Sequence, residues 1–103
     1  MSEFTKGKWT ADDMGEYVFA HGFNMMICQM RGWAYLKAQC LSSDEIIDVQ
    51  KANARLIAAA PEMYEMLFTL FNAEYISPLD IEILRRKWEE LIPRIKGEVD
   101  EHD

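Results

Sequence analysis

The sequence predicts an α+β fold in which an N-terminal β-hairpin packs on a bundle of three helices, at about 43–60, 61–73 and 78–96. Three observations carry this prediction. A stretch rich in β-forming residues precedes the helical part, two serines stand at helix-capping positions, and two prolines stand where helices begin. We expect one α+β domain over residues 1–97 and an acidic C-terminal tail over 98–103.

The predicted hairpin occupies residues 17–30 and turns near Gly22 and Asn24, which tolerate positive φ angles. Its hydrophobic residues do not alternate cleanly, so we expect helix or another chain to cover both of its faces. The first sixteen residues are polar and contain turn residues, which indicates a loop or a short edge strand.

The first helix begins at Ser42, whose side chain and that of Glu45 form a capping box. Counting residues at 100° intervals places Asn53 at the centre of an apolar stripe that includes Val49 and Leu56. A buried amide has to be hydrogen-bonded, so we interpret Asn53 as a structural polar residue bonded to the hairpin or to the connection that follows it.

Pro61 ends the first helix and begins the second, since proline is tolerated in the first turn of a helix. Apolar residues surround almost the whole second helix, which must therefore be central or lie at an interface. In a domain this small, we expect Met66 or Phe68 to contact a second copy of the chain, most simply in a homodimer, with a higher oligomer as the alternative.

The third helix begins at Ser77, with Pro78 at its first position and Asp80 completing a capping box. Its apolar residues follow the spacing of one helix face. Pro93 falls inside this pattern and is predicted either to kink the helix or to end it near Leu91.

Composition excludes several classes of protein. The 103 residues include 18 acidic and 11 basic side chains, a net charge of −7, but half of the residues are hydrophobic, which argues against a disordered acidic tail. No apolar run reaches the length of a membrane span and no secretory leader is evident, so we expect a cytoplasmic protein that does not bind membranes. Cys28 and Cys40 are interpreted as reduced thiols, because they match neither a disulfide framework nor a zinc motif.

The residues give little indication of catalysis. A thiol–base pair of Cys28 and His21 is conceivable, but no orienting acid or oxyanion site can be named beside it. Metal-ligand and phosphate-binding spacings are absent, so we predict no catalytic residue, metal or cofactor. The basic cluster 85–87 is flanked by acids and is interpreted as a solvated helix face, without direct nucleic-acid binding.

Two surfaces are candidate binding sites. Arg31, Trp33 and Tyr35 combine cationic and aromatic groups suited to a flat partner. A second set, of acids on the third helix, could compete with nucleic acid for a basic groove; its members are Glu82, Glu89 and Glu90. An acidic surface also has a simpler explanation, namely solubility.

The segment from Ala52 to Glu62, ANARLIAAAPE, closely resembles a helix-break-helix segment of many small bacteriophage and prophage proteins. Residues 27–36 and the Ser-Ser-Asp-Glu helix start are also similar to that group, so the resemblance covers roughly residues 17–70. It implies a phage accessory protein, a class that includes inhibitors of bacterial defence systems, and it carries over no catalytic residue.

We therefore predict a non-enzymatic phage accessory protein that binds and inhibits a bacterial defence or nucleic-acid-processing protein. An alternative hypothesis is an oligomeric sponge for a small ligand or nucleotide signal. That alternative requires convergent side chains in a shared pocket, for which the candidates are Arg31, Trp33, Tyr35 and Asn53.

Overall fold

The computed structural model describes residues 4–39 and 41–98, with the backbone alone for Trp33 and Tyr35. Its strands are β1 (Trp9–Ala11), β2 (Tyr17–Ala20) and β3 (Met25–Gln29), and its helices are α1 (Trp33–Ala38), α2 (Ser43–Ala58), α3 (Ala60–Asn72) and α4 (Pro78–Lys96). The predicted α+β class is confirmed, and the bounds of the three predicted helices differ from α2, α3 and α4 by at most two residues. The division into a domain and a tail stays a prediction, because residues 99–103 lie outside the described part.

The predicted hairpin corresponds to β2 and β3, which are the central strand and one edge strand of a three-stranded antiparallel sheet in the order β1-β2-β3. The N-terminal segment supplies β1 as an edge strand, paired so that Ala11 lies opposite Val18. Between β1 and β2, an Asp12 carboxylate oxygen accepts hydrogen bonds from the backbone N–H groups of Glu16 (2.7 Å) and Tyr17 (3.2 Å). This side-chain bonding stabilises the turn that reverses the chain.

The sheet packs one face against α2, and small side chains make this contact close. Ala11 and Val18 of the sheet form a buried cluster with Ala54 and Ala58 of α2. At the β1–β2 turn, Gly15 approaches α2 so closely that a Cβ atom there would lie 2.5 Å from the Cα atom of Lys51. The N-terminal part of the chain is therefore held on α2 by backbone proximity as well as by apolar burial.

The prediction that Asn53 is buried is wrong. Asn53 is exposed, and the buried amide of α2 is Gln50, whose Nε2 donates a hydrogen bond of 3.0 Å to the carbonyl of Met14. The buried positions 46, 50, 54 and 58 of α2 follow a four-residue spacing. The apolar stripe counted from the sequence is rotated away from this face, because the sheet covers alanines, whereas the larger Leu56 remains exposed.

Both predicted capping boxes are present. The hydroxyl of Ser42 accepts from the backbone N–H of Glu45 (3.2 Å) while the Glu45 carboxylate accepts from the backbone N–H of Ser42 (3.1 Å). Ser77 and Asp80 make the same reciprocal pair at 3.1 and 3.0 Å. The hydrogen bonds from the cap residues, the backbone N–H first, lower the pKa of the Glu45 and Asp80 carboxyl groups.

Three local features differ from or complete the prediction. Helix α1 occurs in the connection between the sheet and α2, where no helix was predicted. Pro61 lies in the first turn of α3, as expected. Helix α4 continues through Pro93 to Lys96, so of the two outcomes predicted for Pro93 the end near Leu91 does not occur. Gly97, at φ 77°, ends α4 in a Schellman arrangement in which Gly97 N–H bonds to Arg94 O and Glu98 N–H to Pro93 O.

Helices α3 and α4 leave the body of the molecule side by side. The C-terminal half of α4 packs on α2, where Leu91 is buried and the Arg55 Nε atom donates to the carbonyl of Ile95 at 3.0 Å. Arg94 forms an ion pair with Glu62 and so connects α4 to the start of α3. Farther out, a groove of about 540 Å³ separates the two helices, so the predicted three-helix bundle is open on this side.

None of the described helices is both long enough and apolar enough to cross a lipid bilayer.

Candidate functional site

The outer face of the sheet, opposite α2, is the candidate functional site. Strand pairing places Thr10 opposite Phe19 and Phe19 opposite Met26, and side chains of directly opposed residues lie on the same face of a sheet. Because Val18 and Ala20 point to the buried face, Tyr17 and Phe19 point outward. Here "the sheet surface" means the set Tyr17, Phe19, Phe23, Met26, Gln29 and Arg31.

A β-bulge in β3 creates this surface. The register shifts between Val18 and Phe19, so that Cys28 pairs with Val18, Met26 pairs with Phe19, and Ile27 is the extra residue. Ile27 and Cys28 both pack against the buried cluster as a result. The bulge is the physical reason that the hydrophobic residues of this segment do not alternate in the sequence. One run of apolar residues supplies both the core and the outer face.

Aromatic rings extend along the sheet surface to its tip. The ring centroids of Tyr17 and Phe19 lie 5.8 Å apart, and those of Phe19 and Phe23 lie 5.2 Å apart. Phe23 is 48% exposed in the β2–β3 turn. The rings of both pairs are tilted against each other, and aromatic contacts at these distances are attractive, so Phe19 helps to fix the position of the exposed Phe23 ring.

The turn that carries Phe23 is strained. His21, Gly22 and Phe23 all have positive φ angles, of 55°, 62° and 74°. For a bulky residue such as Phe, this backbone region costs about 1–2 kcal/mol relative to the ordinary region. Asn24, which the sequence suggested for positive φ, instead closes the turn through a hydrogen bond of 3.2 Å from its backbone N–H to His21 O. Strain at an exposed aromatic residue favours a function for that residue over a purely structural role.

Arg31, one of the predicted binding residues, lies at the polar edge of the sheet surface. Its Nε and Nη2 atoms donate to Gln29 Oε1 at 3.4 and 3.2 Å, and Gln29 Nε2 donates to the Tyr17 hydroxyl at 3.5 Å. This chain of hydrogen bonds orients an exposed guanidinium beside the aromatic rings. The other two predicted members, Trp33 and Tyr35, lie on α1, and their side chains are outside the described part of the structure.

The three predicted acids of α4 do not form one continuous negative face. Glu82 forms ion pairs with Arg85 (2.6 Å) and Arg86 (3.4 Å), which leave its charge largely compensated. Glu89 is exposed, and Glu90 lines the groove between α3 and α4. Arg85 and Arg86 are themselves exposed, in agreement with a solvated helix face.

The other candidates lie away from the sheet surface or do not combine. Met66 lines the groove between α3 and α4, and Phe68 is 54% exposed on α3. His21 is exposed in the turn that follows β2, three residues from Val18, and Val18 is the pairing partner of Cys28. Three residues of extended chain correspond to about 10 Å. Cys28 carries a free thiol that faces the core. Strand pairing therefore separates these two side chains, and Cys40 lies outside the described residues.

Sequence reasoning found Arg31 but missed the aromatic and methionine members of the sheet surface. It assigned that segment to a hairpin covered on both faces, and the described residues leave Met26 55% exposed. The broken alternation was the available signal, since a bulge produces it as readily as double burial does. Among the described residues, no group of three or more His, Cys, Asp or Glu side chains is arranged to hold a metal ion.

Residues 1–92 match the family described as Salmonella phage P22 protein Y8K6. The matched range includes the whole sheet and all the helices except the last residues of α4. Neither the curated proteins nor the solved structures include a match to this chain. The phage origin expected from the ANARLIAAAPE resemblance is confirmed at the level of the family. The chain therefore belongs to the Salmonella phage P22 protein Y8K6 family.

Proposed function

We propose that this phage protein is a non-enzymatic accessory protein that binds and inhibits a bacterial protein of defence or nucleic-acid processing in the cytoplasm of the infected cell. The proposal assigns no catalytic role to any residue. Its main support is the sheet surface. There Phe23 is exposed, has a strained backbone and contacts the ring of Phe19, and the guanidinium of Arg31 lies at the edge.

The composition of the sheet surface supports protein binding. Aromatic residues, methionine and arginine are enriched in the centres of protein interfaces, and Tyr and Arg are frequent among the residues that contribute most to affinity. Tyr17, Phe19, Phe23, Met26 and Arg31 are all of these types. The apolar members would lose water on binding, and Arg31 would donate to a carboxylate or carbonyl oxygen of the partner.

Charge supports a partner with a basic surface. The chain has a net charge of −7, which attracts positively charged proteins over distances of about 10 Å at ordinary salt concentrations. Exposed acids such as Glu89 contribute to this attraction more than Glu82, whose charge is compensated. Joint replacement of Glu82, Glu89 and Glu90 is expected to slow association and to reduce its dependence on salt.

The experiment is capture of the partner from bacterial cells that express the tagged chain. Native protein is compared with Phe23→Asn, which keeps a residue compatible with positive φ, and with Leu56→Asn as control. Leu56 is as exposed as Phe23, at 49%, but lies on α2. We expect one host protein in stoichiometric amount with the native and control chains, and at least about tenfold less with Phe23→Asn.

Inhibition is then measured on the captured protein. Its activity should fall when the native chain is added and stay unchanged with Phe23→Asn. Equal capture by Phe23→Asn, or capture without any effect on the partner's activity, would contradict the proposal.

The small-ligand alternative has less support from the geometry. It requires Arg31 and Asn53 to converge in one pocket, yet the groove described between α3 and α4 is lined by neither of them. That groove combines Glu62, Glu65 and Glu90 with its cationic side chains, an unfavourable setting for the phosphates of a nucleotide. A nucleotide that co-purifies stoichiometrically in the capture experiment would instead favour the alternative.

A further inference from the structure

Helix α3 carries an exposed apolar stripe. Tyr64, Leu67, Phe68 and Phe71 are separated by three and four residues and therefore share one face of the helix. They are 50%, 55%, 54% and 76% exposed, so exposure is greatest at the outer end. At the inner end the Tyr64 ring contacts that of Phe4, with centroids 5.0 Å apart. Tyr64 and Phe68 also line the groove toward α4, and Met63 and Met66 are half-buried, so most of the stripe faces solvent.

Helix α4 repeats this pattern. Its predicted apolar face is covered at the inner end, where Leu91 is 1% exposed, but Ile81 and Trp88 on the same face are 55% and 44% exposed. One continuous face is thus half packed and half exposed. We call the segment 64–88, which contains both exposed parts, the helical arm.

The exposed area has the magnitude of a dimer interface. A compact monomer of 12.0 kDa has an accessible surface of about 6,000 Å², whereas this chain exposes 7562 Å². The excess over the whole chain, about 1,500 Å², is larger than the roughly 800 Å² that each partner buries in a standard interface, and ten of the fifteen exposed large hydrophobic side chains among the described residues lie in the arm. The radius of gyration is 16.0 Å, compared with about 13 Å for a compact chain of this length.

We propose that the helical arms of two copies of this chain pair around a two-fold axis and form a four-helix bundle. The core of one copy is small. Among the described residues the large side chains that are fully buried are Ile46, Leu91 and Val18. Covering the arm therefore contributes to folding itself, and a second copy is the one occupant present wherever the chain is made.

The side chains of the arm fit this occupant. Spacings of three and four residues are those with which helices interdigitate in bundles. Within the arm, Glu65 of α3 and Lys87 of α4 line the groove with opposite charges. A surface with both signs of charge can complement a second copy of itself, because in a two-fold interface the acidic group of each copy can face the basic group of the other.

The test is the mass in solution at micromolar concentration. The native chain should sediment as a dimer of twice 12.0 kDa. The double variant Leu67→Glu and Phe71→Glu should be monomeric, and Leu56→Glu, at an equally exposed leucine on α2, should remain a dimer. A monomeric native chain, or a double variant that remains a dimer, would overturn the proposal.

A second measurement uses only the native chain and remains decisive if the double variant does not fold. For a dimer that unfolds to separate chains, a tenfold increase in concentration should raise Tm by about 3–5 °C. A Tm independent of concentration would contradict the proposal. The Phe23→Asn chain should dimerise normally, so failure of the dimer and failure of partner capture are distinguishable.

Discussion

Replacement of Gly15 by alanine tests how the sheet is held on α2. Gly15 has φ +67°, and an added Cβ atom would lie 2.5 Å from the Cα and 2.7 Å from the backbone N of Lys51. The positive φ costs about 1–2 kcal/mol for alanine. The backbone contact cannot be relieved by a side-chain rotation, so the turn must move away from α2, at a further cost of about 1–3 kcal/mol.

Gly22→Ala is the matched control for this change. Gly22 has a similar φ of +62°, but a Cβ atom there meets nothing within 4 Å. It should therefore show the backbone cost alone, about 1–2 kcal/mol. Urea unfolding followed by tryptophan fluorescence, at one protein concentration, measures both variants. Gly15→Ala should lose more free energy of unfolding than Gly22→Ala, by about 1–3 kcal/mol, and equal losses would refute the close approach of the turn to α2.

Three further predictions concern single side chains. Gln50→Ala should lower the free energy of unfolding by about 1–3 kcal/mol, because the buried hydrogen bond to Met14 O is lost. Asn53→Ala, at an exposed position, should change it by less than about 0.5 kcal/mol. Chemical unfolding of the two variants measures the difference. Phe23→Asn should leave the free energy of unfolding within about 1 kcal/mol of native, since relief of backbone strain offsets the lost ring contacts, that with Phe19 among them, and a larger loss would indicate a structural role. The pKa of both capping carboxyls, Glu45 and Asp80, is lower in the folded chain, so their contribution to stability is complete only above the unfolded values, from about pH 5 upward, and is lost as pH falls through the folded values. Replacing the cap serines should reduce this loss in acid unfolding curves.

Local hydrogen bonding explains why the helix starts could be predicted. A capping box involves residues three apart, so Ser42 with Glu45 and Ser77 with Asp80 are recognisable without any tertiary information. The break at Pro61 is equally local, because proline lacks a donor and restricts the preceding residue. Pro93 shows the limit of such rules. Packing of Leu91 and the bond from Arg55 to Ile95 O hold the helix through the proline.

The orientation of α2 could not be predicted because it depends on a partner element. Counting apolar residues gave weight to Leu56 and overlooked Ala54 and Ala58, which are small but lie where the sheet comes closest. The same close approach requires Gly15 in the turn. Alanines at a four-residue spacing on a helix, together with a glycine turn in the preceding segment, were the available signal for this face.

The sheet surface depends on one unpredicted event, the bulge at Ile27. With strict alternation, Ile27 and Cys28 would point to opposite faces of the sheet. The extra residue at Ile27 lets both pack toward α2, while Met26 stays on the outer face beside Phe19. Arg31 could be proposed from its residue type alone. Its position beside Tyr17 and Gln29 required the pairing register.

Native mass spectrometry of the tagged chain, purified gently from bacterial cells, tests directly whether this phage protein acts by binding a host protein through its sheet surface. We expect a particle that contains two copies of the 12.0 kDa chain together with a host protein, and loss of the host protein alone in the Phe23→Asn variant. A particle that contains only this chain, with or without a bound nucleotide, would contradict the claim.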